Sequence, residues 1–187
     1  VSKIFHPIGY YYMNGDSTVK SFEGTFDGNG HTIANFYHNT WEMKGDNNYY
    51  DASLQYFRDG MGLFGRVYGG TIKNLTVRNF KSDGEYTTTG VIAAYADGAT
   101  FENIAITNCN PRVYNTGNGG IVGIGGNSND PDGYKLTFNN ITIDNTNKIS
   151  ALWGSWDVAC GGLVGMYRGN VDGSGNATGD TISFTNC

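Results

Sequence analysis

Gly62-Leu-Phe-Gly65 and Thr71-Ile-Lys-Asn-Leu-Thr-Val-Arg-Asn79 decide the fold, because both phrases recur along the chain. Later copies of the first phrase are Gly90-Val-Ile-Ala93, Gly120-Ile-Val-Gly123 and Gly162-Leu-Val-Gly165. Later copies of the second are Thr100-Phe-Glu-Asn-Ile-Ala-Ile-Thr-Asn108, Thr137-Phe-Asn-Asn-Ile-Thr-Ile-Asp-Asn145 and a partial copy, Ile182-Ser-Phe-Thr-Asn186. A sequence that repeats in this way indicates a solenoid, in which each copy forms one coil.

The spacing of the phrases predicts strands rather than helices. The first phrase recurs after 28, 30 and 42 residues (62 to 90, 90 to 120 and 120 to 162), although the phrase itself keeps its length. Apolar and other residues alternate in Ile104-Ala-Ile106 and Ile141-Thr-Ile143, as they do in half-buried strands. Glycine supplies 29 of the 187 residues, which disfavours helices. We therefore predict an all-β parallel β-helix, with loops of variable length between short stacked strands.

Stacked coils place like residues above like residues, about 4.8 Å apart. The aligned copies predict one column of Asn74, Asn103 and Asn140. They predict a second column that contains Asn79, Asn108, Asn145 and Asn186. Asparagine tolerates left-handed backbone at a corner, and stacked amides can bond to one another. We interpret both columns as structural.

Charge and length exclude several classes of function. The formal net charge is −5 and the 12 basic residues are scattered, so nucleic acid is not expected as a partner. No run of about 18 apolar residues occurs, so no membrane insertion is expected. Residues 1–187 are interpreted as a single β-helix domain. Because the last residues complete a repeat phrase without a cap, we expect this domain to be a fragment of a longer repeat array.

The three cysteines predict free thiols. Cys109 and Cys187 each follow the closing asparagine of a copy, with one copy between them. Two rungs are about 9.6 Å apart at this strand spacing, which is too far for a disulfide. Cys160 has no partner of its own in the pattern. No CxxC or Cys/His cluster occurs, so neither a metal site nor a cofactor is predicted.

The repeats resemble a known bacterial family. Phe22-Glu-Gly-Thr-Phe-Asp-Gly-Asn-Gly-His-Thr-Ile33, preceded by Pro7-Ile-Gly9, resembles the opening of a group of bacterial surface proteins. Gly62-Leu-Phe-Gly65 with Gly70-Thr-Ile-Lys-Asn-Leu-Thr-Val77 resembles the GLUG-type repeat. The resemblance implies a right-handed parallel β-helix like the pectin-lyase-like superfold, here with about five coils and long lateral loops. It also implies a secreted or cell-surface protein, but it does not imply a particular activity.

Acidic residues are the first candidates for chemistry. A glycan hydrolase needs two acids at a defined separation across a groove, and the candidates are Glu23, Asp27, Glu42, Asp46, Asp51, Asp59, Asp83, Glu85, Asp97 and Glu102. No spacing among them selects a pair, so we interpret them as solvated charges and assign no catalytic residue. The Asp27-Gly-Asn-Gly-His31 segment could hold calcium. We interpret it as a tight turn in which Gly28 and Gly30 adopt positive φ.

Aromatic loops are the stronger candidates for binding. The two insertions around residues 38–60 and 146–161 contain several aromatic residues that could stack on sugars, or alternatively cover the sides of the solenoid. The candidate ligand-binding residues are Trp41, Tyr49, Tyr50, Trp153 and Trp156.

Three functions remain open at the level of sequence. The first is a non-catalytic extracellular module that binds a glycan or a host surface. The second is part of a polysaccharide-processing lyase or hydrolase. The third is a passive stalk that spaces other domains.

Overall fold

The computed structural model describes residues 5, 7–11, 19–39, 60–85, 87–114, 117–126, 135–152, 158–167, 174 and 181–187. For residues 10, 11, 19, 20, 39 and 85 it describes only the backbone. Every regular element in this part of the chain is a β-strand. The same residues include no helix that is long and apolar enough to cross a membrane.

The strands follow one another in coils. Coil 1 contains β1 (Tyr10–Tyr11), β2 (Val19–Lys20), β3 (Thr25–Asp27), β4 (Thr32–Ala34) and β5 (Tyr37–Asn39). Coil 2 contains β6 (Phe64–Tyr68), β7 (Thr71–Arg78), β8 (Lys81–Glu85) and β9 (Thr89–Gly90). Coil 3 contains β10 (Ala93–Asp97), β11 (Thr100–Thr107), β12 (Arg112–Tyr114) and β13 (Gly117–Gly119). Coil 4 contains β14 (Val122–Gly125), β15 (Lys135–Ile143), β16 (Ser150–Leu152) and β17 (Ala159–Gly161), and coil 5 contains β18 (Val164–Tyr167) and β19 (Thr181–Thr185).

Equivalent strands of successive coils pair in parallel and form four sheets. Sheet I contains β6, β10, β14 and β18. Sheet II contains β3, β7, β11, β15 and β19, and β4 also pairs with β7 in this sheet. Sheet III contains β5, β8, β12 and β16, and sheet IV contains β9, β13 and β17. Only β1 and β2 pair antiparallel among the described strands. This arrangement is the predicted parallel β-helix, and sheet II is five coils deep, as expected.

Sheet II shows how the repeat sets the register. Phe101 of β11 pairs with Ile72 of β7 and with Phe138 of β15, and Phe138 pairs with Phe184 of β19. The three phenylalanine rings stack with centroids 5.2 Å apart at both steps. Phe101 and Phe138 are fully buried, so each side chain contributes about 1.5–3 kcal/mol relative to exposure.

The alternation of inward and outward residues is interrupted once in each long strand. Ile72, Leu75 and Val77 of β7 are all buried, although the first two are three residues apart. Asn74 between them has φ of 54°, and this left-handed residue bends the strand so that alternation restarts. Simple alternation therefore mispredicts which residues face inward.

The apolar residues of the two repeat phrases supply most of the interior. Partial burial is found for Ile143, Leu163 and Val164, and among the described residues the last two are covered by coil 4 alone. The residues found buried are Leu63, Phe64, Val91, Ile104, Ile106, Ile121, Val122 and Ile141.

The Gly-x-x-Gly phrase is explained by close backbone approach between successive coils. A Cβ on Gly62 would lie 2.4 Å from the carbonyl oxygen of Gly90, the equivalent glycine of the next coil. A Cβ on Gly120 would lie 2.0 Å from the carbonyl oxygen of Gly162. These separations are far below van der Waals contact, so only glycine fits at Gly62 and Gly120.

All three cysteines are free, as predicted: Cys109 is buried, whereas Cys160 and Cys187 are exposed. Burial raises the pKa of the Cys109 thiol. The predicted equivalence of Cys109 and Cys187 is wrong. Thr185 pairs with Asn139, so the register aligns Asn186 with Asn140 and Cys187 with Ile141, and these residues do not close a second-column copy.

Candidate functional site: grooves along two asparagine ladders

The first asparagine ladder lies on sheet II. Asn74, Asn103 and Asn140 have φ of 54°, 51° and 55°, which an asparagine adopts more readily than most residues. The Nδ2 group of Asn103 donates to Oδ1 of Asn74 at 2.9 Å. Nδ2 of Asn140 donates to Oδ1 of Asn103 at 2.8 Å. The predicted first column is therefore present and is linked by side-chain amides.

Asp27 lies at the N-terminal end of this ladder. Its Oδ1 accepts hydrogen bonds from Asn74 Nδ2 at 3.0 Å and from the backbone N–H of Asn29 at 2.9 Å. Nζ of Lys73 lies 3.6 Å from its Oδ2. The hydrogen bond from Asn74, followed by that from Asn29, holds the pKa of Asp27 below its ordinary value.

The Asp27–His31 segment is the predicted turn, with one correction. Asn29 and Gly30 have positive φ, of 49° and 73°, whereas Gly28 does not. Gly28 is instead required by space, because a Cβ there would lie 2.6 Å from the carbonyl oxygen of Asn74.

A second ladder contains Asn35, Asn79 and Asn108, with φ of 63°, 57° and 50°. Nδ2 of Asn79 donates to Oδ1 of Asn35 at 2.7 Å, and Nδ2 of Asn108 donates to Oδ1 of Asn79 at 2.7 Å. Asn35 was not among the residues predicted for this column. The Asn-Phe dipeptide at residues 35–36 and again at 79–80 is the signal that could have identified it.

The prediction that Asn145 and Asn186 belong to the second column is wrong. Asn186, with φ of 52°, follows Thr185 in the register and takes the position of Asn140. Asn145 is not among the residues with positive φ, because coil 4 closes this corner with a different turn.

That turn is built on Asp144, whose Oδ1 accepts from the backbone N–H of Thr146 at 3.1 Å and from Nδ2 of Asn147 at 2.9 Å. Thr146 Oγ1 in turn accepts the backbone N–H of Asn108 at 2.7 Å. The hydrogen bond from the Thr146 hydroxyl holds the pKa of Asp144 below its ordinary value. A single Asx turn thus replaces the left-handed asparagine in coil 4.

A shallow groove accompanies each ladder. The first groove has a volume of about 410 Å³, and it is lined by Asn29, Gly30, Asn74, Leu75, Thr76, Asn103, Ile104, Ala105, Asn140 and Thr142. The second has a volume of about 360 Å³ and is lined by Asn35, Phe36, Tyr37, Asn79, Lys81 and Asn108. Both grooves run across several coils, parallel to the axis of the solenoid.

The first groove repeats an asparagine amide in each of coils 2, 3 and 4. Thr76 pairs with Ala105 and Ala105 pairs with Thr142, so this outward column runs beside the ladder. A primary amide has two N–H donors and an oxygen with two lone pairs. An amide within the ladder uses one N–H and one lone pair for its neighbours, and it keeps the others for a ligand. The groove can therefore donate and accept hydrogen bonds at intervals of about 4.8 Å.

Two of the candidate acids are paired with arginines of a neighbouring coil. Asp83 accepts from Nε and Nη2 of Arg112 at 3.2 and 2.9 Å. Oδ2 of Asp97 lies 2.9 Å from Nη2 of Arg66, and the Asp97 side chain is only 4% exposed. These carboxylates link coil 2 to coil 3, and nothing in their geometry directs them toward a common substrate. No group of three or more His, Cys, Asp or Glu that could hold a metal occurs in the described part of the chain.

The predicted aromatic binding residues, Trp41, Tyr49, Tyr50, Trp153 and Trp156, lie outside the described residues. Glu42, Asp46, Asp51 and Asp59 also lie there. No protein-family model matches the sequence, and searches of curated proteins and of solved structures return no match.

Proposed function

We propose that the chain is a non-catalytic β-helix module of a secreted or surface-exposed bacterial protein, and that it binds an extended glycan along its side. The observation that carries this proposal is the first groove, in which an asparagine amide recurs in three successive coils beside an outward column of Thr76, Ala105 and Thr142. The resemblance of the repeats to the GLUG type supports the cell-surface setting and a role in adhesion.

A polysaccharide suits this groove because it is itself a repeating chain of hydroxyl groups and apolar ring faces. Each of Asn74, Asn103 and Asn140 keeps one N–H donor and one oxygen lone pair. These groups can bond to a sugar hydroxyl, which can either accept or donate a hydrogen bond. Ala105 and the methyl groups of Thr76 and Thr142 supply apolar contact beside them. The rise of about 4.8 Å per coil is comparable to the length of one sugar ring. Because the groove is shallow and open, weak affinity is expected.

The pairing of the acids supports a binding role over a catalytic one. Asp83 and Asp97 are engaged by Arg112 and Arg66, and Asp27 is engaged by the ladder and its own turn. A glycosidase needs one acid able to donate a proton and a second carboxylate across the bond. A carboxylate whose oxygens already accept hydrogen bonds from an arginine is not free to act on a substrate.

A matched pair of lysine substitutions tests the groove. Ala105→Lys places a long charged side chain inside the groove, whereas Thr100→Lys places the same side chain on the same strand, among residues that do not line it. After a glycan array identifies a ligand, titration should show an affinity loss of about tenfold or more for Ala105→Lys. Thr100→Lys should change affinity by less than about twofold. Equal effects of the two variants would remove this groove from consideration.

The aromatic loops form a second proposed contact with the same glycan, and Trp41→Ala and Trp153→Ala test it by Trp fluorescence and titration. Loss of binding in these variants, with Ala105→Lys unaffected, would move the site from the groove to the loops. Release of sugar products during incubation would contradict the non-catalytic assignment. Absence of binding to every glycan on the array would favour the passive stalk.

A further inference from the structure

A column of polar side chains follows the second ladder along sheet III. Lys81 of β8 pairs with Tyr37 of β5, and an isolated bridge pairs it with Asn110 of coil 3. His38 and Ser82, the next residues in the two strands, are buried. Because side chains alternate along a strand, Tyr37, Lys81 and Asn110 face outward.

Lys148 extends this column into coil 4. Its backbone N–H donates to the carbonyl of Cys109 at 2.8 Å, as expected for a residue that is paired in parallel with the one after Cys109. The register agrees, because Ser150 pairs with Arg112 two residues further along each strand. Lys148 and the lysine of coil 2 therefore lie in one column, two rungs or about 9.6 Å apart.

The positive charge of this column is not neutralised by its neighbours. Both lysines are exposed, and neither has an ion-pair partner in the part of the chain that the structure describes. The next carboxylate along β8, that of Asp83, is already held by Arg112 at 2.9 Å. Asp144, in the corner of coil 4, accepts hydrogen bonds within its own turn. The column thus presents positive charge for an external anion, although the whole chain has a net charge of −5.

The second groove joins this column to the ladder. Tyr37 and Lys81 line it together with the three ladder asparagines. Arg78, the residue before Asn79, is also exposed and adds a cation on the sheet II side of the ladder. The groove can therefore offer amides to hydroxyl groups, an aromatic ring to the apolar face of a sugar, and cations to an anion.

We propose that the second groove and its lysine column bind an acidic polysaccharide that carries carboxylate or sulfate groups on alternate sugars. The class of ligand rests on the proposed glycan-binding function, whereas the site is separate from the first groove. One sugar ring is about as long as one rung, so acidic groups on alternate sugars recur at about the spacing of the two lysines. Same-face side chains of an extended peptide recur about every 6.6–6.8 Å instead, so an acidic peptide fits the column less well.

Titration calorimetry tests the site with a hyaluronan octasaccharide, which has a carboxylate on every second sugar. The double variant Lys81→Gln, Lys148→Gln should weaken binding about five- to tenfold, because two exposed ion pairs are lost. The control Lys73→Gln, Lys135→Gln removes two lysine charges from sheet II and should change the affinity by less than about twofold. Added salt should weaken binding to the parent more than binding to the first double variant. Circular dichroism of both variants reports whether they remain folded.

Two further probes identify the chemistry that is recognised. Carboxyl-reduced hyaluronan is neutral, and it should bind equally to the parent and to Lys81→Gln, Lys148→Gln. A keratan oligosaccharide sulfated only on its N-acetylglucosamine has sulfates on alternate sugars and no carboxylate. Tighter binding of hyaluronan would identify carboxylate as the preferred anion, and tighter binding of the keratan probe would identify sulfate.

Several results would overturn the proposal. Equal losses in the two double variants would show general attraction between charges and no site. A double variant that binds no more weakly than Lys81→Gln alone would remove Lys148 and the two-rung spacing. Absence of binding to both acidic probes, or tighter binding of poly-glutamate, would remove the acidic glycan as the ligand. Because Ala105→Lys tests the first groove with a neutral glycan, the proposed function can stand when this second site fails.

Discussion

Asn103 is the residue whose replacement best tests the physical account of the solenoid. It combines a left-handed backbone, with φ of 51°, and two ladder hydrogen bonds, to Asn74 and from Asn140. Asn103→Gly removes the amide but accepts the backbone conformation. Asn103→Ala removes the amide and also places a Cβ in a conformation that is unfavourable for alanine.

The expected magnitudes follow from these two contributions. Both hydrogen bonds are exposed, so each contributes about 0.5–1 kcal/mol. Asn103→Gly also increases the entropy of the unfolded chain, which costs about 0.5–1 kcal/mol. We therefore expect a loss of about 1.5–3 kcal/mol in unfolding free energy for glycine. Asn103→Ala avoids that entropy cost but adds about 1–2 kcal/mol of backbone strain to the loss of the two hydrogen bonds. We therefore expect it to lower the unfolding free energy by about 2–4 kcal/mol.

Urea denaturation measures these differences, with midpoints compared at an unchanged slope. Asn139→Ala is the control, since Asn139 lies in an extended strand one coil away and has no ladder bond. It should change stability by less than about 0.5 kcal/mol. A variant Asn103→Ala that is clearly more stable than Asn103→Gly would contradict these expectations, and so would an Asn103→Gly variant as stable as the parent.

The remaining predictions concern a glycine pair and one carboxylate. Gly120→Ala should prevent native folding or cost more than about 3 kcal/mol, because its Cβ would lie 2.0 Å from the Gly162 carbonyl oxygen, whereas Gly162→Ala meets no atom within 4 Å and should be tolerated. Thermal unfolding compares them, and equal losses would contradict the close-approach argument. The lowered pKa of Asp27 means that the folded state favours the carboxylate, so its stabilising contribution is present above the ordinary pKa and is lost as pH falls through the folded value. An NMR titration should show the Asp27 midpoint rising toward the ordinary value in Asn74→Ala, and an unchanged midpoint would count against the hydrogen bond as the main cause.

The fold was predictable because the two repeat phrases carry most of the pairing information. Aligning Phe101 with Phe138 in the sequence already places these rings one above the other, as the register shows. In the partial copy Ile182–Asn186, the asparagine can be aligned equally well with Asn140 or with Asn145. Stacking of Phe184 on Phe138 selects the alignment with Asn140, whereas the alignment with Asn145 was predicted.

The grooves and ion pairs were less predictable, because they depend on which side chains meet across coils. Asp83 and Arg112 are 29 residues apart, and Asp97 and Arg66 are 31 apart, so neither pair has a local signature. The turn at Asp144 inserts one residue between columns that otherwise align, which displaced Asn145 from its predicted place.

Both asparagine ladders have a chemical polarity, since every Nδ2 group donates toward the N-terminal coil and every Oδ1 group faces the C-terminal coil. The amide dipoles of each ladder therefore add, as peptide dipoles do in an α-helix. The positive end of the first ladder meets the carboxylate of Asp27, which is the favourable partner for it. The two ends of each ladder therefore differ in electrostatic potential. When a coil is added to the C-terminal side of an existing coil, the acceptor oxygen for its asparagine amide is already in place.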